Sequence, residues 1–474
     1  MAIVTVQLLS VYTALFAKEG GQLKGSVAEG YPIDDDGILS MKQKPFDVRG
    51  FFIGRDLVLN TMANHDKGLI EMSQCNFNLS DAAAPQNFSL CEKSGLGVVV
   101  SRSPHLTAAD WIKMSDQQID DYVRQMVKDG GKSKAIAGYY ICDEPSSLAF
   151  PKLAVAVAAV RKYAPGKLSI INLYPNYATL WTLDQVKSQL GTRTYKEYIE
   201  KYIEIVKPDF VCYDNYMVEY SMDMVNKDRA FQYYTNLLDI REVAGKHSVP
   251  FWNIVSSNQI RPFTTIPSPA NMAFQAYTSL AAGYSAVIWF TYAQLGYRYA
   301  PLDRNGHKTL VWRNLQEVNR QLSILGPIVK KLKSTGVYFT SGIANNTLPS
   351  LPGEHVQSVE SDVPVMVGEF LSDKGNRYLM VVNLSLEKSG LLSIKTRIPD
   401  EMMWEVSTGD DEPYFTEIID NRKRTEAKDA ASWKPEQLEL ARKKGVWLTA
   451  GQGTLIKCCG APIQNKTKQN NTLK

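Results

Sequence analysis

From about residue 47 onward, short β-rich runs alternate with amphipathic stretches. This pattern, that of parallel βα units, constrains the fold more than any other feature of the chain. Eight such runs can be counted, at residues 48–54, 75–79, 95–101, 136–143, 168–173, 210–216, 250–256 and 286–292. Between them run helical periodicities such as Tyr198, Ile199, Tyr202, Ile203 and Val206, spaced three and four apart. Eight successive units close most economically into a (β/α)8 TIM barrel, with its pocket at the C-terminal ends of the strands. The alternation predicts this barrel over residues 47–335, preceded by an N-terminal segment, 1–46. After Leu325-Gly326-Pro327 the texture changes, and strand-like alternation at 366–370, 378–384, 391–396, 403–406 and 453–457 predicts a small antiparallel β-sandwich over 336–460. Residues 422–445 read as a charged, partly helical excursion, and 461–474 as a mobile tail.

Composition removes several functional classes. Fifty-three basic and 49 acidic residues give a formal charge of only +4, with no long basic block before a modest Lys-rich tail, so nucleic acid is not an expected partner. No Gly-x-Gly-x-x-Gly or phosphate-cradling loop is present, and no nucleotide cofactor is expected. The six cysteines lack CxxC spacing, which predicts neither a metal site nor a disulfide framework. No run has the length of a membrane span. Residues 2–17 are apolar but lack a basic leader and a clean cleavage site. With six Asn-x-Ser/Thr sequons (Asn78, Asn87, Asn345, Asn383, Asn465 and Asn470) they permit a secreted or periplasmic location without establishing it. The oligomeric state is not legible.

In such a barrel, polar residues at the strand ends should converge on one pocket. Strand one leads into Arg55 and Asp56, strand two into Asn78, and strand three into Ser101 and Arg102. Strand four, Ile-Ala-Gly-Tyr-Tyr-Ile-Cys, contributes Tyr140 and stops in Asp143-Glu144-Pro145, where proline prevents further pairing. Strand five offers Asn172, Tyr174 and Asn176, and strand six Tyr213, Asp214, Asn215 and Tyr216. Strand seven offers Trp252, Asn253, Ser256 and Asn258, and strand eight Trp289, Thr291 and Tyr292. Rings mixed with amides and carboxylates suit a sugar, whose C–H faces pack on aromatics while its hydroxyls need directed donors and acceptors. An oligo- or polysaccharide is therefore the expected substrate.

Strand alternation puts Tyr140, Cys142 and Glu144 on one face and Tyr139, Ile141 and Asp143 on the other, so a single carboxylate of the pair should face the lumen. Glu144 is the candidate general acid/base, because a glycosidic oxygen leaves poorly without a proton and a carboxyl in an aromatic pocket can hold one near neutral pH. Asp143 would orient Glu144, bind a hydroxyl or cap the next helix. Asp214 is the remaining acid at a late strand end; two strand spacings of about 4.8 Å put it roughly 10 Å from Glu144 at the backbone. It serves as second carboxylate, or else only holds a hydroxyl or a neighbouring side chain.

With those residues in view, the barrel resembles the retaining glycoside hydrolases of the β-galactosidase clan. Strand four of that clan ends in Asn-Glu-Pro or a close variant and strand eight in a Trp-containing run. Here Asp143-Glu144-Pro145 and Ile288-Trp289-Phe290-Thr291-Tyr292 match those positions. Residues 275–292 and Asp303-Arg304-Asn305-Gly306 resemble bacterial members, and the likeness in layout covers 47–330. It implies a glycosidase for β-linked sugars with Glu144 as proton donor. The clan takes its nucleophile from a glutamate ending strand seven, whereas residues 251–259 here contain no acid. A second pattern, substrate-assisted cleavage of N-acetylhexosaminides, uses an adjacent Asp-Glu on strand four, and Tyr213-Asp214 is similar to the Tyr-Asp of chitinase-type barrels. A carbohydrate-binding barrel that has lost its nucleophile is the third alternative.

Overall fold

The computed structural model describes residues 34–39, 48–51, 66–81, 83–102, 105–180, 188–224, 228–294, 296–340, 343, 347–399, 401–418, 431–442 and 445–459. Eight parallel strands close into a barrel in chain order: β1 (Val48–Phe51), β2 (Leu79–Asp81), β3 (Gly97–Val100), β4 (Ile136–Asp143), β5 (Leu168–Leu173), β6 (Val211–Asp214), β7 (Phe251–Ser256) and β8 (Ala286–Phe290). Closure is made by β1 pairing with β8, in register from Val48 opposite Val287 to Phe51 opposite Phe290. Helices follow the strands and cover the outside, as parallel strands require on both faces.

Period-two alternation divides the strands between two apolar cores. Leu79, Val99, Tyr140, Ile170, Phe210, Cys212, Trp252, Ile254, Ile288 and Phe290 fill the lumen. Val98, Tyr139, Ile141, Ile171, Tyr213, Val255 and Trp289 pack outward against the helices. This division later decides which aromatic residues reach the pocket.

One strand lies elsewhere than the sequence pattern predicts. The apolar run 75–79 belongs mostly to the end of helix Asp66–Gln74, and β2 begins only at Leu79. Asn76 adopts φ 59°, its N–H bonds Ser73 O at 3.0 Å, and the Phe77 N–H reaches back to Met72 O at 3.1 Å. That is a Schellman closure, with Phe77 and Met72 both buried as its apolar contact. A hydrophobic cluster around a helix cap thus resembles a short strand in sequence. Asn78 consequently sits at the start of β2 rather than its end, and the residue at the barrel mouth is Asp81.

Beyond the barrel, β9 (Lys333–Phe339), β10 (Val356–Glu360), β11 (Val365–Leu371), β12 (Arg377–Asn383), β13 (Gly390–Thr396), β14 (Met402–Ser407), β15 (Tyr414–Glu417), β16 (Val446–Leu448) and β17 (Gly453–Cys459) build two antiparallel sheets. The larger has the order β15-β14-β17-β12-β11-β9 and the smaller β10-β13-β16. Alternate residues of β12 explain their mutual packing. Leu379 and Val381 join a cluster with Val356, Leu392 and Val446 of the small sheet, while Tyr378, Met380 and Val382 join the barrel core. The large sheet is therefore covered on both faces.

Its barrel-side neighbour is the helix Pro269–Ala281, in which every side chain from Asn271 to Ala281 is buried. A Cβ on Gly368 of β11 would lie 2.1 Å from Ala281 O, so only glycine lets sheet and helix come this close. No described helix is long and apolar enough to cross a membrane. Asn383, one of the sequon asparagines, is fully buried, and its amide donates to Lys388 O, Leu448 O and Thr449 O.

Candidate active site

A cavity of about 350 Å³ opens at the C-terminal ends of the strands, lined among others by Asp143, Glu144, Asn172, Asp214, Tyr216 and Arg261. Simple alternation along β4 cannot bring both Asp143 and Glu144 there, yet both arrive. The pairing register of β4 with β5 shifts between Tyr140 and Cys142, a bulge that leaves Ile141 and Cys142 both packed outward. Past the bulge Asp143 shares the lumenal side with Tyr140, whose hydroxyl donates to Asp143 Oδ1 at 2.9 Å. Glu144 then adopts φ 39°, a left-handed conformation costly for a residue with a Cβ, and turns back over the pocket.

That turn is held from several sides. The Glu144 N–H donates to Asn172 O at 2.8 Å, and the Tyr198 hydroxyl donates to Pro145 O at 2.7 Å. The following turn is capped by Ser146, whose Oγ accepts from Leu148 N, so Asp143 is not needed as a cap. Instead Asp143 Oδ1 also accepts from Asn172 Nδ2 at 3.0 Å, and its carboxylate remains exposed at the mouth.

Asp214 faces Glu144 from β6. Cys212 and Asp214 share the lumenal side of that strand, and Asp214 is only 6% exposed. The two carboxyl groups line one cavity and each acts on the ionisation of the other. Burial pushes Glu144 up to about 7, the negative charge of Asp143 adds to the rise, and the hydrogen bond with Asp214 opposes it. Burial likewise raises Asp214 well above the usual carboxylate range, with Glu144 and Asp143 adding and hydrogen bonds to Tyr216 and Asn172 opposing. Two acids this dry, each facing the other's charge, both resist ionisation. Asp214 Oδ1 and Asn172 Oδ1 are both buried and make no hydrogen bond within the protein, leaving acceptors for a ligand.

Aromatic rings form one wall. Tyr216 packs on Phe290 with ring centroids 5.2 Å apart, and Phe290 on Tyr297 at 5.3 Å. Tyr177, Tyr220, Met217 and Ile260 also line it, and Arg261 is the one cation among the described residues of the lining. Tyr174 is half-buried beside Glu144, whose charge together with burial raises the phenol. Asp81 points inward at the end of β2, close enough to Tyr140 for its charge to raise that phenol along with burial and Asp143.

Several residues expected at the pocket lie elsewhere. Tyr213 points outward and bonds the Tyr284 hydroxyl at 2.8 Å, and Asn215 donates to Asn236 Oδ1 at 2.9 Å. Asn253 donates to Ser279 Oγ at 3.0 Å, and Trp289 Nε1 to Asn319 Oδ1 at 2.8 Å. The Tyr292 hydroxyl accepts from Trp312 Nε1 at 2.8 Å. All five are turned toward the helices because their positions are odd with respect to the lumenal residues of their strands or lie past the strand end. Trp252 does face the lumen, but at the opposite end, where it stacks on Phe210 at 3.6 Å and lines a second cavity of about 440 Å³. Asn78 is displaced with the start of β2, and Arg55 and Asp56 lie outside the described residues.

Conversely, Tyr177, Ile260, Arg261 and Tyr297 come from loops and Tyr220 from a short helical turn, for which period-two reasoning has no purchase. An acid does approach the end of β7, but from another segment. Glu219, in the short helical turn Met217–Tyr220, accepts hydrogen bonds from Ser256 Oγ, from Ile260 N at 2.8 Å and from Thr264 Oγ1 at 2.8 Å. Both its oxygens are engaged and it is 2% exposed, so it anchors the loop carrying Ile260 and Arg261. β7 itself, Phe251–Ser256, contains no acid.

No family model and no curated protein matches the sequence. Solved structures share the fold. A catalytic mutant of a GH42 β-galactosidase from G. stearothermophilus aligns over 88% of this chain and 98% of that one, with 8% identity and a TM-score of 0.55. A glycoside hydrolase family 5 protein from Bacteroides vulgatus aligns over 88% and 89%, with 10% identity and a TM-score of 0.49. Against the β-galactosidase of Marinomonas ef1 the alignment covers 60% of each chain, with 8% identity and a TM-score of 0.43, so this chain spans about six tenths of that protein. At these identities the likeness concerns the fold, a TIM-barrel-like α/β sheet followed by a separate antiparallel sheet domain, and the first of the three carries it.

Proposed function

We propose that the barrel is a glycoside hydrolase acting on a β-linked sugar, with Glu144 as the proton donor. The observation that carries this reading is the burial of Glu144 beside Asp143 at the mouth of the cavity. Burial first and the Asp143 charge second leave a carboxyl that still holds its proton near pH 7, as required to protonate a departing glycosidic oxygen. The shared fold with a GH42 β-galactosidase agrees with it. Asp214 acts through Glu144: burial disfavours its charged form, so it lines the pocket behind the donor without drawing the proton off Glu144 as a second anion would.

A second carboxylate is still required, and its identity separates two schemes. Retaining and inverting pairs need acids about 5 to 9.5 Å apart, leaving room for the sugar carbon or a water. Burial disfavours the anionic form of Asp214 that a nucleophile or base would need, and β7 offers no replacement. This favours the second reading, substrate-assisted cleavage of an N-acetylhexosaminide. Asp143, held by Tyr140 and Asn172 and open to the mouth, would accept the acetamido N–H while the substrate carbonyl attacks its own anomeric carbon. Aryl β-glycosides with and without a 2-acetamido group test both statements. Hydrolysis restricted to acetamido sugars selects the substrate-assisted scheme, and hydrolysis of plain hexosides selects a two-carboxylate scheme. No turnover of any sugar, with binding unchanged by Glu144→Gln, leaves a binding barrel.

A further inference from the structure

In the C-terminal sheets, three buried side chains of metal-binding chemistry stand together. His355 precedes β10 of the small sheet, Glu401 precedes β14 of the large sheet, and Cys458 lies on β17 beside it, paired with Met403. They are 3%, 5% and 4% exposed, and one ligand atom from each lies within 4.8 Å of the other two. His355 Nε2 stands 2.8 Å from Glu401 Oε2, an ion-pair distance, and has no hydrogen-bond partner. A buried ring nitrogen, a carboxylate oxygen and a thiol sulfur thus stand together within metal-binding reach.

We propose that His355, Glu401 and Cys458 bind a divalent transition metal of the zinc class, stapling the small sheet to the large one. Zinc takes nitrogen, oxygen and sulfur at about 2.0 to 2.3 Å, so tetrahedral neighbours stand roughly 3.3 to 3.6 Å apart, a spacing that fits three atoms within 4.8 Å of one another after a small parting of His355 and Glu401. Charge agrees as well: a dication, one thiolate and one carboxylate sum to zero, which removes the main cost of burying Glu401. Glu369 supports the arrangement from behind, its carboxylate accepting from the His355 N–H at 3.1 Å and the Val356 N–H at 2.8 Å. Three protein ligands leave the fourth position to a water. Because the spacing in sequence is 46 and then 57 residues, no short motif announces the set.

The test uses the full chain, stripped with a chelator, equilibrated with zinc chloride and desalted. Wild type is expected to retain one zinc per chain by elemental analysis, and His355→Ala and Cys458→Ser none. Cobalt chloride is expected to give the wild type a near-ultraviolet thiolate-to-cobalt charge-transfer band, and zinc to raise its melting temperature. Wild type without bound zinc and without that band overturns the proposal, whatever the variants do. Equal zinc retention by a folded Cys458→Ser overturns it too.

Discussion

The inside and the outside of the same barrel strands are built from similar residues and do opposite things. On β6, Asp214 enters the mouth while its neighbour Tyr213 bonds Tyr284 under the helices. On β8, Phe290 walls the cavity while Trp289 is pinned to Asn319. Tyrosine, tryptophan and asparagine occur on both sides, so residue type does not identify a pocket residue; the side of the strand does. Inside, polar atoms such as Asp214 Oδ1 are left without partners, whereas outside, Tyr213, Trp289 and Tyr292 are each paired.

Substitutions inside should therefore cost activity and spare stability, and substitutions outside the reverse. The largest effect is expected for Glu144→Gln, which keeps the shape but removes the proton: kcat on an activated or natural glycoside should fall about 10²- to 10⁴-fold while the variant still folds cooperatively. A loss confined to KM would break the assignment. On the outside, Trp289→Ala should destabilise by about 3 to 5 kcal/mol in denaturant titration, through the cavity and the abandoned Asn319, while folded protein keeps its KM. A KM change without destabilisation would place that ring in the pocket after all.

Asp143→Asn should give a smaller effect of defined sign. Removing the neighbouring negative charge lowers the Glu144 pKa, so the alkaline limb of the pH–rate profile moves to lower pH. An unmoved or raised limb contradicts the coupling. Stability is linked in the same way. Glu144 binds its proton more tightly folded, at about 7, than unfolded, at 4.5. Its contribution is full below pH 4.5 and is lost as pH rises toward 7, so the melting temperature of Glu144→Gln should fall less than that of wild type across this window. The smallest effect belongs to Tyr213→Phe, about 1 kcal/mol of stability from the lost bond to Tyr284 and no change in KM.

Much of this molecule was legible in the sequence. The βα rhythm of residues 47–330 gave a barrel-like sheet, and the abrupt acidic end of β4 gave the acids of its mouth. Local periodicity sufficed there because strands buried on both faces are apolar runs of fixed length. The misplaced start of β2 shows the limit, since an apolar Schellman closure and a short strand have the same composition. What only the tertiary structure decided was direction. The bulge at Tyr140–Cys142 and the left-handed φ of Glu144 overrode alternation and brought both acids inward. Ring closure put Asp214 and Glu144 on one cavity although they stand 70 positions apart. Neither has a local signature, because register shifts and long-range contacts are settled by the packing of whole strands rather than by the preferences of the residues within one.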